Sequence, residues 1–237
     1  MASLLLTRPE NASGRFADLL HRQIGAMDFV ISPLMRIEKA QDVALSAQED
    51  VIFTSHYGVD CAPEANGRLA YCVGRATAEA AQARGYQVVV GTGDAAALIK
   101  RILADAPKQP LVHIRGAHSR GEISDTLRSA GVDIRDHVGY QQHPLSLNAQ
   151  ALAVLGGQDP VIVPLFSPRS AKLFLENGPF LAPIWAVAIS QAVAQTVVDK
   201  GFHRVDVADT PDAQAVCKSI QRLLAAGDHL EGVNPAI

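Results

Sequence analysis

Small polar residues and arginine recur at the ends of strand-like runs, each followed by a helical pattern. The instances are Thr7-Arg8, Thr54-Ser55, Gly74-Arg75, Gly93-Asp94, Arg115-Gly116, Ser167-Pro168, Ser190 and Thr210-Pro211. Residues of these types cap helices and leave backbone N–H groups pointing away from the helix start. Several helix N-termini gathered on one side attract carboxylate or phosphate, because unpaired amides and the helix dipole act together. Arg8, Arg75, Arg115 and Arg169 lie beside these ends and can grip a carboxylate through two parallel hydrogen bonds. Capping alone accounts for any one of these residues; their shared bias is toward an anionic small molecule.

Signatures of other chemistries are missing. There is no G-x-G-x-x-G after a strand, no G-x-x-x-x-G-K-[ST], no G-x-S-x-G and no H-E-x-x-H. Nucleotide-dependent and hydrolase-elbow chemistry therefore have no support, and a dinucleotide-dependent oxidoreductase lacks its glycine fingerprint. Of the eight histidines, His56, His113, His137 and His143 lie near strand ends and read as hydrogen-bonded or solvated groups rather than general bases. Asp94 and Asp212 stand at equivalent helix starts, where a carboxylate suits the dipole. Tyr140, one of four tyrosines, either faces a cleft or packs in a core or hinge.

The elements that must position these residues are alternating strands and helices, the pattern of a parallel α/β protein. Four local patterns appear twice. Phe53-Thr54-Ser55 recurs as Phe166-Ser167-Pro168, and Val73-Gly74-Arg75-Ala76-Thr77-Ala78 recurs loosely as Ile189-Ser190-Gln191-Ala192-Val193-Ala194. Thr92-Gly93-Asp94-Ala95 recurs as Thr210-Pro211-Asp212-Ala213, and Leu111–Gly116 with Gly121 recurs as Leu4–Pro9 with Gly14. The consistent cyclic order points to a duplicated unit. The segment Ala104–Pro110 is an ordinary loop in length, whereas Ile31–Asp50 and Val138–Asp159 read as long connections. The favoured partition is therefore discontinuous. Residues 1–35 plus 147–237 form one domain, 42–140 an inserted one, and 36–41 with 141–146 a two-stranded hinge. Each domain is expected to be a small, mostly parallel sheet flanked by helices, with a ligand cleft at the domain junction beyond the strand ends.

Composition agrees with such a fold. The chain of 237 residues is 48% hydrophobic and 19% charged, enough to bury a core and too ordered in composition for a disordered chain. Lys and Arg number 21 against 24 Asp and Glu, a net charge of −3, so no broad basic field for nucleic acid exists, although a locally basic cleft is allowed. The apolar runs are far shorter than the roughly 18–20 residues that cross a bilayer, and Leu4–Leu6 reads as an opening strand of a cytoplasmic protein. Cys61, Cys72 and Cys217 form no C-x-x-C pair and no zinc-like spacing, so they read as buried small hydrophobes and no metal site is expected.

Taken in order, several fragments resemble the uroporphyrinogen-III synthase family over essentially the full chain. They are Leu6-Thr7-Arg8-Pro9, Ile52-Phe53-Thr54-Ser55, Cys72-Val73-Gly74-Arg75-Ala76-Thr77-Ala78-Glu79-Ala80, Gly93-Asp94, His113-Ile114-Arg115-Gly116 and Tyr140. The second half supplies Phe166-Ser167-Pro168-Arg169-Ser170-Ala171, Ala188-Ile189-Ser190 and Ala208-Asp209-Thr210-Pro211-Asp212. The resemblance implies two α/β domains on a two-stranded linker and a cyclising hydro-lyase. The reaction implied is closure of hydroxymethylbilane to uroporphyrinogen III, with loss of water and inversion of ring D through a spiro intermediate. It implies no metal and no organic cofactor.

Carried over residue by residue, Tyr140 matches the family's cleft tyrosine and Thr77 the hydroxyl of its V-G-x-x-T-A motif, the two catalytic candidates. Thr54, Ser55, Gly74, Arg115, Gly116, Ser167 and Ser190 match positions lining the substrate, and Thr7, Arg8, Arg75 and Arg169 join them from the strand-end pattern. Two departures stand out: Val193 occupies a position where the second domain often repeats a threonine, and His56-Tyr57 replace commoner small residues. The expected partner is a linear tetrapyrrole polycarboxylate, with a transient contact to hydroxymethylbilane synthase; no nucleic acid or membrane is expected, and the chain is expected to act as a monomer. The competing reading is a two-domain binding protein or sensor for a small anionic metabolite.

Overall fold

In a computed structural model the chain divides into two compact units, Met1–Arg36 with Pro144–Ile237, and Ile37–His143. The structure describes residues 2–40, 42–91, 94–118 and 122–231, with 226–231 as backbone only. Thr92, Gly93 and Gly121, which carry parts of the repeat, lie outside the described residues. The first unit opens with β1 (Ser3–Leu6), α1 (Glu10–Ile24) and β2 (Phe29–Ile31), followed by β3 (Met35–Lys39). The second unit then runs β4 (Asp50–Phe53), α2 (His56–Cys61), β5 (Leu69–Cys72), α3 (Arg75–Ala83), β6 (Gln87–Val90), α4 (Ala95–Asp105), β7 (Leu111–Gly116), α5 (Glu122–Ser129) and β8 (Ile134–Pro144). The first resumes with α6 (Ala149–Leu155), β9 (Val161–Leu165), α7 (Pro168–Leu175), β10 (Ile184–Ala188), α8 (Gln191–Val197), β11 (Arg204–Val207) and α9 (Ala213–Glu231).

The two sheets repeat one order. In the second unit it is β8-β7-β4-β5-β6, with β3 added outside β8; in the first it is β2-β1-β9-β10-β11. Each of the five strands in one list corresponds to the strand at the same place in the other, and the pairings along both are parallel. The central strands are continuous apolar runs because helices cover both faces. Leu4–Leu6, Val51–Phe53 and Val161–Val163 are all at most 1% exposed. Alternate residues feed opposite cores. In the second unit Val51, Phe53, Val112 and Ile114 pack with Val59 and Tyr140 on one face, whereas Ile52 and Leu111 pack with Tyr71, Leu98 and Leu127 on the other.

The three cysteines are buried free thiols. Burial pushes Cys72 up to about 12 and Cys217 to about 11, so both stay protonated and serve as small apolar side chains.

The two segments read from sequence as long connections hold regular structure. The first contains β3; the second contains the end of β8 and helix α6. Their strands escaped notice because they are polar: β8 reads Ile-Arg-Asp-His-Val-Gly-Tyr-Gln-Gln-His-Pro, and β3 at the sheet edge has three exposed residues of five. Main-chain pairing with a neighbour, which no side-chain pattern reports, makes strands of them; the Ala40 N–H donates to the Gly139 carbonyl at 2.9 Å.

Candidate functional site

The sheet order decides where chemistry gathers. In the second unit the chain winds from β4 outward to β5 and β6, then returns to β7 and β8 on the other side of β4. The reversal lies between β4 and β7, and in open α/β sheets the crevice beyond the strand ends at such a point is the ligand site. There stand Thr54 and Ser55 after β4, and Arg115 and Gly116 at the end of β7, with Gly74 and Arg75 one strand further on. In the first unit the reversal lies between β9 and β1, flanked by Thr7 and Arg8 on one side and Ser167 on the other, with Ser190 beyond.

Tyr140 joins the second unit's set. It is only 5% exposed, and its ring lies so close to Gly116 that a Cβ there would stand 2.6 Å from Cε2 and 2.9 Å from Cζ. The contact is possible because the register between β7 and β8 shifts at Arg115/Gly116, which brings Gly116 opposite Tyr140. The Ser55 side chain and the Gly116 backbone are the polar groups that act on the Tyr140 hydroxyl. Tyr57 packs beside it with ring centroids 5.7 Å apart, and the His56 ring lies tilted against Tyr57 with centroids 3.9 Å apart. Burial raises the phenol above its usual value, with the Ser55 side chain and the Gly116 backbone working against that rise, so the hydroxyl is a neutral proton donor at working pH.

Helix starts differ in what they leave free. The Ser55 Oγ accepts from the Tyr57 N–H at 3.3 Å, and Ser167 forms a reciprocal cap with Ser170 at 3.1 Å in both directions. These hydroxyls are occupied by their own helices. Gly74, the N-cap of α3, has no side chain to close the first turn, and a Cβ added there meets nothing within 4 Å. Its helix therefore presents first-turn amides to solvent, with Arg75 exposed beside them. Thr77, third residue of that helix, is 9% exposed, and its counterpart Val193, third in α8, is 1% exposed. Both side chains pack inward, so the absent hydroxyl at Val193 follows from a position the core can claim. Ser190 caps α8 without a side-chain hydrogen bond.

Arg8 and Arg115 are held rather than loose. The Arg8 guanidinium lies 3.9 Å over the Phe166 ring. Arg115 donates from Nε to Asp136 Oδ1 at 2.9 Å and from Nη1 to the Gly116 carbonyl at 3.2 Å. The same Asp136 oxygen accepts from Ser124 Oγ at 2.8 Å, and His113 Nδ1 lies 3.3 Å from it. The hydrogen bond from His113, followed by those from Ser124 and Arg115, holds the Asp136 carboxyl well below the usual carboxylate range against the opposing effect of burial. Arg169 is half-buried at the second position of α7.

Thr7, just past the end of β1, is 1% exposed, and its Oγ1 is buried without a hydrogen-bond partner among the described residues. Sequence reasoning missed Asp136 and Ser124. The usable signal is an aspartate inside a strand, which β7–β8 pairing sets opposite His113.

A sequence model described as uroporphyrinogen-III synthase HemD matches residues 15–218 of the chain. The chain belongs to the uroporphyrinogen-III synthase family. It is accordingly a cyclising lyase of tetrapyrrole (haem) biosynthesis, acting on a small-molecule tetrapyrrole: it closes hydroxymethylbilane to uroporphyrinogen III with loss of water and inversion of ring D. Solved structures agree on the fold. Uroporphyrinogen-III synthetase from Helicobacter pylori is similar with a TM-score of 0.67 and 18% identity, covering 94% of this chain and 100% of that one. A mutant uroporphyrinogen III synthase from Thermus thermophilus is similar with a TM-score of 0.56 and 14% identity, covering 95% and 100%. No curated protein sequence is significantly similar to the chain. The binding-protein alternative gains no support from these findings. Among the described residues, no helix is long and apolar enough to cross a membrane.

Proposed function

We propose that the strand-end rim around Tyr140 is where the synthase family's reaction takes place in this chain, with Tyr140 assisting departure of the substrate hydroxyl. The observation that carries this reading is Tyr140 itself, buried with its ring packed on Gly116 beside the reversal of the sheet and its hydroxyl kept neutral by that burial. As the C–O bond of the hydroxymethyl group breaks, the phenol strengthens a hydrogen bond to the leaving oxygen, and water departs with the proton. The electron-rich pyrrole supplies the electrons and becomes an azafulvene. The substituted α-carbon of ring D attacks it to give the spiro intermediate, which fragments and recloses with ring D inverted. The final closure releases a proton from the ring D carbon that had carried hydrogen, which balances the proton lent at the start.

Because the same azafulvene closes unaided to the symmetric isomer, the protein's contribution is geometry and charge placement rather than a nucleophile. Gly74, Arg75, Arg115 and Thr54 of one unit, and Arg8, Arg169 and Ser190 of the other, receive the acetate and propionate arms; Ser167 fixes the start of α7 and Thr77 shapes the start of α3. Residues 36–41 and 141–146 serve as a hinge. The chain works in the cytoplasm as a monomer, without metal or organic cofactor, and meets hydroxymethylbilane synthase transiently.

Freshly made hydroxymethylbilane, with the two product isomers resolved by chromatography, tests the reading. Type III product is the expected outcome; type I alone overturns it. In the same assay Gly74→Ala is expected to raise KM by roughly 10-fold while changing stability by only a few tenths of a kcal/mol, since the new methyl enters open space over the uncapped amides. A KM equal to that of the parent removes the α3 start from the substrate site.

A further inference from the structure

We infer that Asp136 is a positioning residue for substrate binding: it fixes the Arg115 guanidinium in the orientation that receives a substrate carboxylate. The inference rests on the reading above that Arg115 belongs to the binding rim. Three observations support it. Arg115 is fastened at two corners, Nε to Asp136 and Nη1 to the Gly116 carbonyl, neither of which engages Nη2. Asp136 is itself fastened, accepting from Ser124 Oγ at 2.8 Å with His113 Nδ1 at 3.3 Å. His113 and Ser124 are 2% and 0% exposed, so the base of the network is part of the core, while the Arg115 side chain keeps 19% exposure toward the strand end.

The register explains how the cluster forms. His113 and Asp136 are direct cross-strand partners on β7 and β8, and Arg115, two residues beyond His113, emerges on the same face. Ser124 reaches Asp136 from α5. An arginine that must first be ordered loses side-chain entropy when it binds; one already fastened does not, and its remaining N–H edge is presented in one orientation.

Charge alone and positioning give opposite signs. Asp136 is a negative group beside a site for a polyanion, so by Coulomb attraction its removal should tighten binding. If Asp136 works by orienting Arg115, its removal weakens binding instead.

Steady-state formation of type III product from hydroxymethylbilane, corrected for spontaneous closure, decides between them for Arg115→Gln, Asp136→Asn, the double variant and Asp136→Glu. Arg115→Gln and Asp136→Asn are each expected to raise KM ~10-fold with kcat within about 3-fold of the parent. The double variant is expected to be no worse than Arg115→Gln alone, and Asp136→Glu to recover part of the loss. A raised KM in Arg115→Gln with an unchanged or lowered KM in Asp136→Asn overturns this inference and leaves the Arg115 assignment standing. An unchanged KM in Arg115→Gln overturns the assignment, and the inference falls with it. Additive effects in the double variant also overturn it. Should Asp136→Asn fail to fold, Ser124→Ala loosens the same carboxylate without altering charge: a KM raised about 2- to 3-fold supports the inference, and an unchanged KM overturns it.

Discussion

Tyr140→Phe is expected to lower turnover roughly 10-fold or more, with the protein still folded. Phenylalanine keeps the ring that packs against Gly116 and beside Tyr57, and loses only the hydroxyl. The Ser55 Oγ retains the Tyr57 N–H, so the structural cost is small, about 1 kcal/mol. The kinetic cost is larger because water must then leave the substrate without a positioned donor. The measurement is kcat for type III product, with thermal unfolding as the control. Unchanged turnover removes Tyr140 from the reaction. Because burial raises the phenol, the parent's rate should not decline through loss of this proton until the pH exceeds the ordinary tyrosine value of about 10.

The second large effect is expected at Gly116. A methyl there would meet Cε2 and Cζ of Tyr140 at 2.6 and 2.9 Å, closer than real contacts allow. The ring cannot easily retreat, since Tyr57 packs beside it and it is only 5% exposed. Gly116→Ala should therefore displace the hydroxyl from Ser55, and a shift approaching 1 Å is enough to cost roughly 100-fold in kcat. Overpacking also costs stability, about 1–3 kcal/mol, which denaturant unfolding will report. If Tyr140 is the reason, Gly116→Ala added to Tyr140→Phe should lower the rate by less than it does in the parent. Full additivity would assign the glycine a role of its own.

Much of the fold was legible because parallel strands covered on both faces must be apolar throughout. Leu4–Leu6, Val51–Phe53 and Val161–Val163 could hardly be anything else, and the repeated motifs that follow them mark the ends of matching strands in two sheets of one order. What escaped was written in pairing rather than in composition. β3 and β8 are polar strands held by main-chain hydrogen bonds. The Asp136 cluster joins a residue of β7, one of α5 and one of β8, and no spacing in sequence announces it. Polar residues at strand ends were legible as a class, but their individual duties were not. Ser55 and Ser167 close their own helices, Thr7 is buried with its hydroxyl unpartnered, and Gly74 leaves its helix start open.

The buried thiols have a practical consequence. Alkylating reagents attack only thiolates they can reach. With Cys72 on β5 raised to about 12, Cys217 on α9 to about 11, and Cys61 on α2 also raised by burial, the native molecule offers such reagents almost nothing at neutral pH. Any adduct that accumulates marks a moment when a core around one of these thiols had opened, so the rate of alkylation is a clock for transient opening that can be read without touching the catalytic surface.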